Sequence, residues 1–349
     1  SSATGAVFAD SPYANAGGLV GYFSGSEGVT LSTASGSVTV VDSVNGNYNN
    51  GYAGGLVGYF SGSRIDHSAA SGATQGGQTT GGLVGQYYGT AAMESVSATG
   101  SVLGGSYTGG LVGRLTRGGI EAGFASGNVT ANGSGASAGG LVGYSDAGYY
   151  SNDSSVINDS TATGDVSSSS YAGGLVGYWY GYYYYNTISS GITNARASGN
   201  VTSGAYAGGL VGYFLDYQAD SGAIRIRNSL ASGDVQGVTY VGGLVGRATS
   251  YGGLHDNRAT GNVTSLAGRS DTYLGGLAGE YVALGTTGVE GNISGSMASG
   301  NVTLAGTAEM SSSTDVWAGG LLGMLQHSGT TSATLSDSYS TGQVSANAT

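Results

Sequence analysis

The sequence predicts an all-β protein, a parallel β-solenoid (β-helix) that forms a single repeat domain over residues 1–349. Three observations predict this fold: a glycine-rich motif that recurs ten times, apolar residues at fixed distances from it, and a composition with 71 Gly and one Pro. Glycine at this level without a collagen period indicates either disorder or tight turns at regular intervals. A content of 39% hydrophobic residues with 26 Tyr and only 8% charged residues favours a folded chain.

The glycine-rich motif is Gly-Gly-Leu-Val-Gly, and each copy is predicted to begin one coil. The first glycines of the ten copies are Gly17, Gly54, Gly81, Gly109, Gly139, Gly173, Gly208, Gly242, Gly275 and Gly319. The closest copies leave room for a three-sided coil of about three five-residue strands with turns. Longer repeats keep the motifs and lengthen only the segments between them, which predicts surface loops.

Two further elements follow each glycine motif. The string Ala-Ser/Thr-Gly-x-Val recurs with small changes, such as Thr74 in place of Val and Ser340 in place of Ala. An apolar residue, for example Ile157 or Ile226, stands five residues before that alanine in every repeat. The pieces are short, rich in Gly and β-branched residues, and without sustained 3.6-residue spacing, so strands are predicted and helices are not. Each repeat is therefore expected to hold three extended pieces separated by turns.

These residues resemble the GLUG-motif repeats, in which Gly-Gly-Leu-Val-Gly is followed by Ile-x-Asn-Ser-Tyr-Ala-Thr-Gly-x-Val. The segments Ile226 to Val235 and Leu335 to Val344 match closely, and the resemblance covers essentially the whole chain. It implies a repeat region of a large bacterial or archaeal surface or secreted protein, such as a filamentous-haemagglutinin-like adhesin or an IgA-specific metallopeptidase, outside any catalytic part. It implies no particular ligand, because the motif consists of core and turn residues.

Composition and charge argue against several classes of function. The net charge is −11, with nine Arg and no Lys, so no basic groove for nucleic acid is predicted. The chain has no Cys for disulfides or thiolate metal sites. No apolar run approaches the roughly 20 residues of a membrane span, so membrane insertion is not predicted. The N-terminal Ser1-Ser2 lacks a start Met and a signal peptide, which we interpret as processing or excision from a longer chain that is secreted or displayed on the cell surface.

No catalytic residue, cofactor or metal site is predicted, and the chain is not expected to be an enzyme. His67, His255 and His327 lie in different repeats without partners at ligand spacing. Asp216 with Asp220 is the nearest pair of carboxylates that could cleave a glycoside, and we interpret it as part of a solvated loop.

Asn and Asp recur at two positions of the repeat. The first, three residues before the alanine, includes Asp159, Asn194, Asn228, Asp256 and Asp337. We interpret it as a column of turn residues, with a calcium-binding ladder as the alternative. The second position lies in the Gly-x-Val string, where four residues head Asn-x-Thr sequences that are candidate N-glycosylation sites: Asn128, Asn200, Asn262 and Asn301.

Aromatic residues form two columns that flank the glycine motif. Two residues before Gly-Gly stand Tyr52, Tyr107, Tyr171, Tyr206, Tyr240, Tyr273 and Trp317, and just after the motif come Tyr22, Tyr59, Tyr144, Tyr178 and Tyr213. Stacked rings would stabilise neighbouring coils, and the alternative is a flat face for sugars or another protein. One loop holds Tyr178, Trp179, Tyr180, Tyr182, Tyr183, Tyr184 and Tyr185. This run exceeds what stacking requires, and we interpret it as an interface for a ligand or partner, or as a local cap.

The function predicted from these features is that of a non-enzymatic, extracellular structural protein. The repeat pattern runs to both ends of the sequence without polar caps, and open strand edges predict head-to-tail self-assembly into a filament or surface fibre. The alternative is an adhesin stalk that engages carbohydrate or a cell surface through its aromatic face. The first expected partner is therefore another copy of the chain, and the second is a glycan or another cell-surface component.

Overall fold

The computed structural model describes residues 1–41, 50–147, 156–181, 190–217, 224–266, 271–286, 289–305, 315–329 and 333–346. Within these ranges the chain forms 53 β-strands and no helix. The strands lie in five sheets, three with 11 strands and two with 10, which stack about ten coils. The strands of successive coils pair in parallel, and an antiparallel pairing of Val289–Glu290 with the preceding strand is the exception among the described residues. The predicted all-β parallel solenoid is confirmed.

Each coil passes through the five sheets in the same order, and we number the sheets along that path. Sheet 1 contains the strand that ends on the first glycine of the Gly-Gly-Leu-Val-Gly motif, and sheet 2 the strand that begins near its Val. Sheet 3 contains the apolar position before the alanine, sheet 4 the alanine, and sheet 5 the Gly-x-Val string. A coil therefore has five short strands, where the sequence predicted three.

Sheets 1 and 2 carry the aromatic columns. Sheet 1 consists of Asn15–Gly17, Tyr52–Gly54, Thr79–Gly81, Tyr107–Gly109, Ser137–Gly139, Tyr171–Gly173, Tyr206–Gly208, Tyr240–Gly242, Thr272–Gly275 and Val316–Gly319. Sheet 2 consists of Val20–Ser24, Val57–Ser61, Val84–Tyr88, Val112–Arg117, Val142–Ala147, Val176–Gly181, Val211–Asp216, Val245–Ser250, Ala278–Thr286, Val289–Glu290 and Leu322–Gly329.

Sheets 3, 4 and 5 complete each coil. Sheet 3 consists of Val29–Thr30, Ile65–Asp66, Met93–Glu94, Ile120–Glu121, Val156–Asn158, Gly191–Thr193, Ile224–Arg227, Gly253–His255, Ile293–Ser294 and Leu335–Ser336. Sheet 4 consists of Ser2–Ala3, Thr33–Ala34, Ala69–Ala70, Ser97–Ala98, Phe124–Ala125, Thr161–Ala162, Arg196–Ala197, Leu230–Ala231, Arg258–Ala259, Met297–Ala298 and Tyr339–Ser340. Sheet 5 consists of Val7–Asp10, Val38–Val41, Thr74–Gln75, Val102–Gly104, Val129–Ala131, Val166–Ser168, Val201–Ser203, Val235–Gly237, Val263–Ser265, Val302–Leu304 and Val344–Ala346.

The glycine motif forms the corner between sheets 1 and 2, and this corner explains the two adjacent glycines. A Cβ on Gly54 would collide with the carbonyl oxygen of Val57 in its own coil, and a Cβ on Gly55 with that of Gly82 in the next coil. Only glycine tolerates so close an approach of two backbones. The motif is therefore a corner and not one of the predicted extended pieces.

A left-handed turn separates sheet 3 from sheet 4 in every coil. Its residue has φ between 43° and 59° in all ten copies: Leu31, His67, Ser95, Ala122, Asp159, Asn194, Asn228, Asp256, Gly295 and Asp337. Asn, Asp and Gly adopt this conformation at the lowest cost. The interpretation of the column as turn residues is confirmed.

Polar side chains after this turn link neighbouring coils. The Ser229 hydroxyl accepts a hydrogen bond from the Ala195 N–H at 3.2 Å and donates to the Arg227 carbonyl at 2.9 Å. The Ser229 N–H in turn donates to Asn257 Oδ1 at 3.0 Å. The serine of the repeat thus satisfies backbone groups at a point where the chain leaves one sheet and enters the next.

Equivalent residues of successive coils pair in register, so the interior consists of ladders of like side chains. Ala162 pairs with Ala197, and Val166 with Val201. The leucine of the glycine motif is fully buried in most coils, as Leu175 illustrates. A second interior column runs along sheet 2 and holds the largest core side chains, including Phe60, Tyr87, Trp179, Phe214 and Tyr281, each at most 1% exposed.

Candidate functional site

The two aromatic columns predicted from the sequence lie side by side on the outer surface of sheets 1 and 2. We call them together the aromatic face. It comprises Tyr52, Tyr107, Tyr171, Tyr206, Tyr240, Tyr273 and Trp317 in sheet 1 and Tyr22, Tyr59, Tyr144, Tyr178 and Tyr213 in sheet 2. All of these side chains except the exposed Tyr22 are half-buried.

The upper part of the aromatic face, by which we mean the part nearer the C-terminus, begins at Tyr171. Its sheet 1 column is an unbroken ladder of five rings. The ring centroids are 4.7 Å apart for Tyr171 and Tyr206 and 4.8 Å apart for Tyr206 and Tyr240. The ladder continues at 4.8 Å to Tyr273 and at 4.5 Å to Trp317, with neighbouring planes within 18° of parallel. The register of the sheet sets this spacing, because adjacent strands lie about 4.8 Å apart.

The two columns also contact each other. The centroid of Tyr178 lies 5.1 Å from that of Tyr171 and 5.1 Å from that of Tyr213. Tyr206 stacks on Tyr213 at 5.2 Å. Burial raises the pKa of the Tyr178 phenol well above its usual range, and the neighbouring phenols add to the effect. Tyr178 is therefore neutral near neutral pH, and its hydroxyl group can both donate and accept a hydrogen bond.

An ion pair is set into the upper part of the face. Arg247 occupies a position of the sheet 2 column, in register with Tyr213 on one side and Glu280 on the other. Its guanidinium lies 5.6 Å from the Tyr213 ring centroid and 5.0 Å from that of Tyr240. Its Nε is 2.5 Å from Glu280 Oε2. Burial raises the pKa of Tyr240 to about 12 even though the charge of Arg247 opposes that rise.

In the lower part of the face, which is nearer the N-terminus, both columns of aromatic rings are interrupted. In sheet 1, Thr79 is paired in register between Tyr52 and Tyr107, so one ring of the ladder is missing. In sheet 2, Gln86 and Arg114 replace tyrosine in two consecutive coils. A cavity of about 360 Å³ opens at this break, lined by Tyr52, Tyr59, Gln86, Tyr88, Arg114, Thr116 and Asp146.

The polar side chains of the cavity contact one another, but two of their atoms lack a partner. Gln86 Nε2 donates to Thr116 Oγ1 at 2.5 Å, and an Arg114 terminal nitrogen donates to Asp146 Oδ2 at 2.8 Å. Gln86 is only 5% exposed. Gln86 Oε1 and Arg114 Nε are buried without a hydrogen-bond partner.

Aromatic rings hold the arginine of the cavity in place. Arg114 lies 5.8 Å from the Tyr107 ring centroid and 5.5 Å from that of Tyr144. Tyr87 points into the core in register with Phe60 and Leu115, whereas Tyr88, after a shift in register, lines the cavity. Gln86, Arg114, Thr116 and Asp146 were not predicted from the sequence as site residues. The signal that could have found the first two was the missing tyrosine at two positions of the column.

The tyrosine-rich loop predicted as an interface divides between surface and core. Tyr178 and Tyr180 lie on the outside of sheet 2. Trp179 is 0% exposed and stacks on Phe214 at 5.6 Å, so its assignment to the surface is corrected. Alternation along the strand directs it inward. Tyr182, Tyr183, Tyr184 and Tyr185 lie outside the described residues.

The four candidate glycosylation sites belong to an exposed ladder along sheet 5. Each side-chain oxygen accepts a hydrogen bond from the backbone N–H of the next coil, as Asn128 does from Asp165 at 3.0 Å and Asn200 from Asp234 at 3.0 Å. Asn262 and Asn301 continue the ladder. All four asparagines are exposed. Glycosylation at these sites stays a prediction.

Asp216 is not part of a solvated loop, and the interpretation from the sequence was wrong. Its carboxylate lies 2.5 Å from Arg225 Nε, and both side chains are 1% exposed. Ser250 donates to the same carboxylate oxygen at 3.2 Å. The partner arginine comes from the strand that follows the next insertion, and Asp220 lies outside the described residues. This buried pair is a structural element of the core.

The histidines are dispersed in the structure as in the sequence. His67 Nδ1 lies 2.5 Å from Asp66 Oδ1, and His255 Nδ1 lies 2.7 Å from Ser294 Oγ. In the described part of the chain, no three His, Asp or Glu side chains are placed to hold one metal ion.

Comparisons with known proteins identify no relative of this chain. No protein-family model matches the chain, and neither a curated protein nor a solved structure is detectably similar to it. Across the described ranges, no helix has the length and apolar character required to cross a membrane. The chain is thus placed by its architecture, a parallel β-solenoid with five stacked sheets and an exposed aromatic ladder.

Proposed function

We propose that this chain is a non-enzymatic, extracellular structural segment of the GLUG-repeat type that binds carbohydrate through its aromatic face. The observation that carries the proposal is the ladder from Tyr171 to Trp317, whose rings stack at 4.5 to 4.8 Å and remain partly exposed. Core stability alone does not require aromatic rings on the solvent side, because the interior ladders already join the coils.

The chemistry of the face favours a neutral sugar polymer. Phenol hydroxyls at the exposed ring edges exchange hydrogen bonds with sugar hydroxyls, while pyranose C–H groups, which carry partial positive charge, pack on the parts of the rings that the neighbouring rings leave uncovered. The arginine and glutamate within the face pair with each other, so they leave little net charge to attract an ionic ligand. A row of rings at nearly equal spacing suits a ligand with a repeating structure that lies along the axis of the stacked coils.

Retention on insoluble polysaccharides tests the proposal. The full chain should be retained on at least one of cellulose, chitin and peptidoglycan. The double variant Tyr206→Ser with Tyr240→Ser should be retained about tenfold less, which corresponds to a loss of about 1.4 kcal/mol. Phe8→Ser is the matched control, because Phe8 is 69% exposed but lies in sheet 5, away from the face. Equal retention of all three proteins would contradict the proposal.

The head-to-tail filament is the second candidate, and the register of the coils supports it. Each described coil pairs with the next through the same columns, so a strand edge of one coil is complementary to the edge of another. In the last described coil Leu335, Tyr339 and Val344 are 46%, 55% and 48% exposed. A further coil, in the same chain or another copy, would cover them.

Electron microscopy at high protein concentration tests this second candidate. Self-assembly predicts uniform fibres that Val344→Asp abolishes, because a charge would be placed in the stacked edge. Isolated rods at every concentration would contradict it.

A further inference from the structure

We propose that the cavity at the break in the aromatic face binds one neutral pyranose ring, so that the protein has a monosaccharide subsite distinct from the ladder. The inference rests on the proposed function in one respect, the preference of the face for carbohydrate. It adds a defined location, a size and a set of contacting residues.

The cavity lies beside the position at which the sheet 1 ladder lacks one ring. In the upper part of the face Tyr171 lies beside Tyr178 at 5.1 Å and near Tyr213 at 6.2 Å. The equivalent neighbours of Thr79 are Gln86 and Arg114, by the same spacing along the chain and the same register in sheet 2. A tyrosine at position 79 would therefore lie against these two side chains, both of which line the cavity.

The shortest coils leave this space uncovered. Gly54, Gly81 and Gly109 are the most closely spaced copies of the motif, so these coils carry no long insertion. The cavity is bounded by side chains of the sheets themselves, with Tyr52 and Tyr59 at one end and Asp146 at the other. Sites built on strands hold their geometry better than sites built on loops.

The charges of the cavity select a neutral ligand. Its one cation, Arg114, and its one anion, Asp146, are joined at 2.8 Å. A carboxylate or ammonium ligand would have to displace one member of this pair. A hydroxyl-rich ligand would not, since it can donate to the carboxylate and accept from the guanidinium while the ion pair stays intact.

The partnerless atoms match the chemistry of a sugar. Gln86 Oε1 is an acceptor and Arg114 Nε a donor; both are buried without a hydrogen-bond partner, and they belong to two side chains that line the cavity. Adjacent sugar hydroxyls can supply a donor and an acceptor together, after a small adjustment of the Gln86 amide. The rings of Tyr52, Tyr59 and Tyr88 offer surfaces for the C–H groups.

The size of the cavity limits the ligand. Its volume of about 360 Å³ lies at the lower end of the range of about 300–1,000 Å³ found for small-molecule pockets. One pyranose ring with its substituents fits, whereas a folded oligosaccharide does not. The site thus suits a terminal sugar or a single residue of a polymer.

Saturation-transfer NMR with the full chain and neutral methyl glycosides of glucose, galactose, mannose and N-acetylglucosamine tests the inference. The unsubstituted chain should give a signal with at least one glycoside. Thr79→Tyr should abolish the signal while the melting temperature stays equal or rises, because the new ring would lie against Gln86 and Arg114 and extend the ladder. Gln86→Leu keeps the volume but removes the amide, and binding should weaken about tenfold.

The outcomes separate the cavity from the ladder. Tyr240→Ser, a variant distant from the cavity, should reduce retention on polysaccharide and leave the glycoside signal unchanged. No signal with any of the four glycosides, or an unchanged signal in Thr79→Tyr, overturns the inference even when polysaccharide retention persists. A glycoside signal lost in Thr79→Tyr, without any polysaccharide retention, supports the cavity and removes the proposed function of the ladder.

Discussion

The four coils over residues 17–138 and the six coils from residue 139 onward share one backbone path but differ in three columns. In these late coils the sheet 1 ladder is unbroken from Tyr171 to Trp317, whereas the early coils place Thr79 and Ser137 in it. The left-handed turn holds Leu, His, Ser and Ala in the early coils and Asp, Asn or Gly in the late ones. The exposed Asn and Asp ladder of sheet 5 begins at Asn128, in the last of the early coils, and continues through the late ones.

The difference shows how a repetitive backbone can carry both stability and a site. Ladders of like residues stabilise each interface between coils, and in a solenoid the interfaces contribute separately. Where a residue differs from the one repeated along its column, a requirement other than stability determines that residue. The cavity lies at such a departure, among the early coils. Hydrogen exchange should therefore be faster in the early coils than in the late ones.

The largest expected effect concerns two of the aspartates that form ion pairs, Asp216 and Asp146. Asp216→Ala should reduce the free energy of unfolding by about 3–5 kcal/mol, because it leaves the buried Arg225 charge without its carboxylate. Asp146→Ala should cost less than about 1 kcal/mol, because Arg114 is partly exposed and water can replace the carboxylate. Urea unfolding followed by circular dichroism measures both. Equal losses would contradict the distinction between a structural pair in the core and a pair at a cavity.

The next effect concerns the ladder. Tyr206→Ser removes a ring that stacks on Tyr171, Tyr213 and Tyr240 and should cost about 1–3 kcal/mol. Thr79→Tyr performs the reverse change in the early coils and should be neutral or add up to about 1 kcal/mol. Thermal melting of the two variants gives the comparison. A large loss in Thr79→Tyr would show that the gap is required for packing.

Alkaline pH should weaken the late coils more, since they contain more phenols with raised pKa. Burial raises the pKa of Tyr281 well above its usual value of 10.0, and the charge of Asp216 adds to this rise. The folded chain keeps this proton while the unfolded chain loses it above pH 10, so stability is full below pH 10 and falls as the pH rises further. The fall is about 1.4 kcal/mol per pH unit for each fully buried phenol.

Tyr281→Phe isolates this contribution. The variant loses the hydrogen bond to the Gly252 carbonyl, 2.7 Å away, and should be about 1 kcal/mol less stable at neutral pH. Above pH 10 its stability should fall less steeply than that of the unsubstituted chain. Urea midpoints from pH 8 to 12 measure the slopes, and parallel slopes would contradict the assignment.

The smallest effect concerns the turn column. Ala122 has φ of 51°, which costs an L-residue other than Asn or Asp about 1 kcal/mol. Ala122→Gly should therefore raise the free energy of unfolding by about 0.5–1 kcal/mol. Ala125→Gly, three residues later in a regular strand of sheet 4, should lower it by a similar amount. A loss in both variants would contradict the role of backbone strain.

Most of the fold could be predicted from the sequence, because the spacing of the repeated motifs indicates which residues of neighbouring coils pair. The alanine and valine that recur at fixed spacing are the residues that pair between coils. The number of strands could not be predicted, because strands of two or three residues are too short to show alternation. The Gly-Gly-Leu-Val-Gly motif was predicted to be one extended piece, because the short strands on either side of its corner show no alternation that would separate them.

The site could be predicted only in part. The positions of the aromatic columns followed from the motif, since each column keeps a constant distance from Gly-Gly. The inward direction of Trp179 follows from alternation along its strand and could have been recognised. The burial of Asp216 could not, because its partner Arg225 comes from beyond an insertion of variable length. The cavity depends on which residues from neighbouring coils replace tyrosine, and that becomes visible only once the coils are aligned.

The uniform corner at Gly54 and Gly55 has a consequence for how such a protein can change over generations. Because each coil enters and leaves through the same corner, unequal recombination between two copies of the motif adds or removes a whole coil without disturbing the others. Such an exchange lengthens or shortens the rod in steps of about 4.8 Å. The reach of the molecule can thus be inherited as a count of coils, separately from the surface that each coil displays.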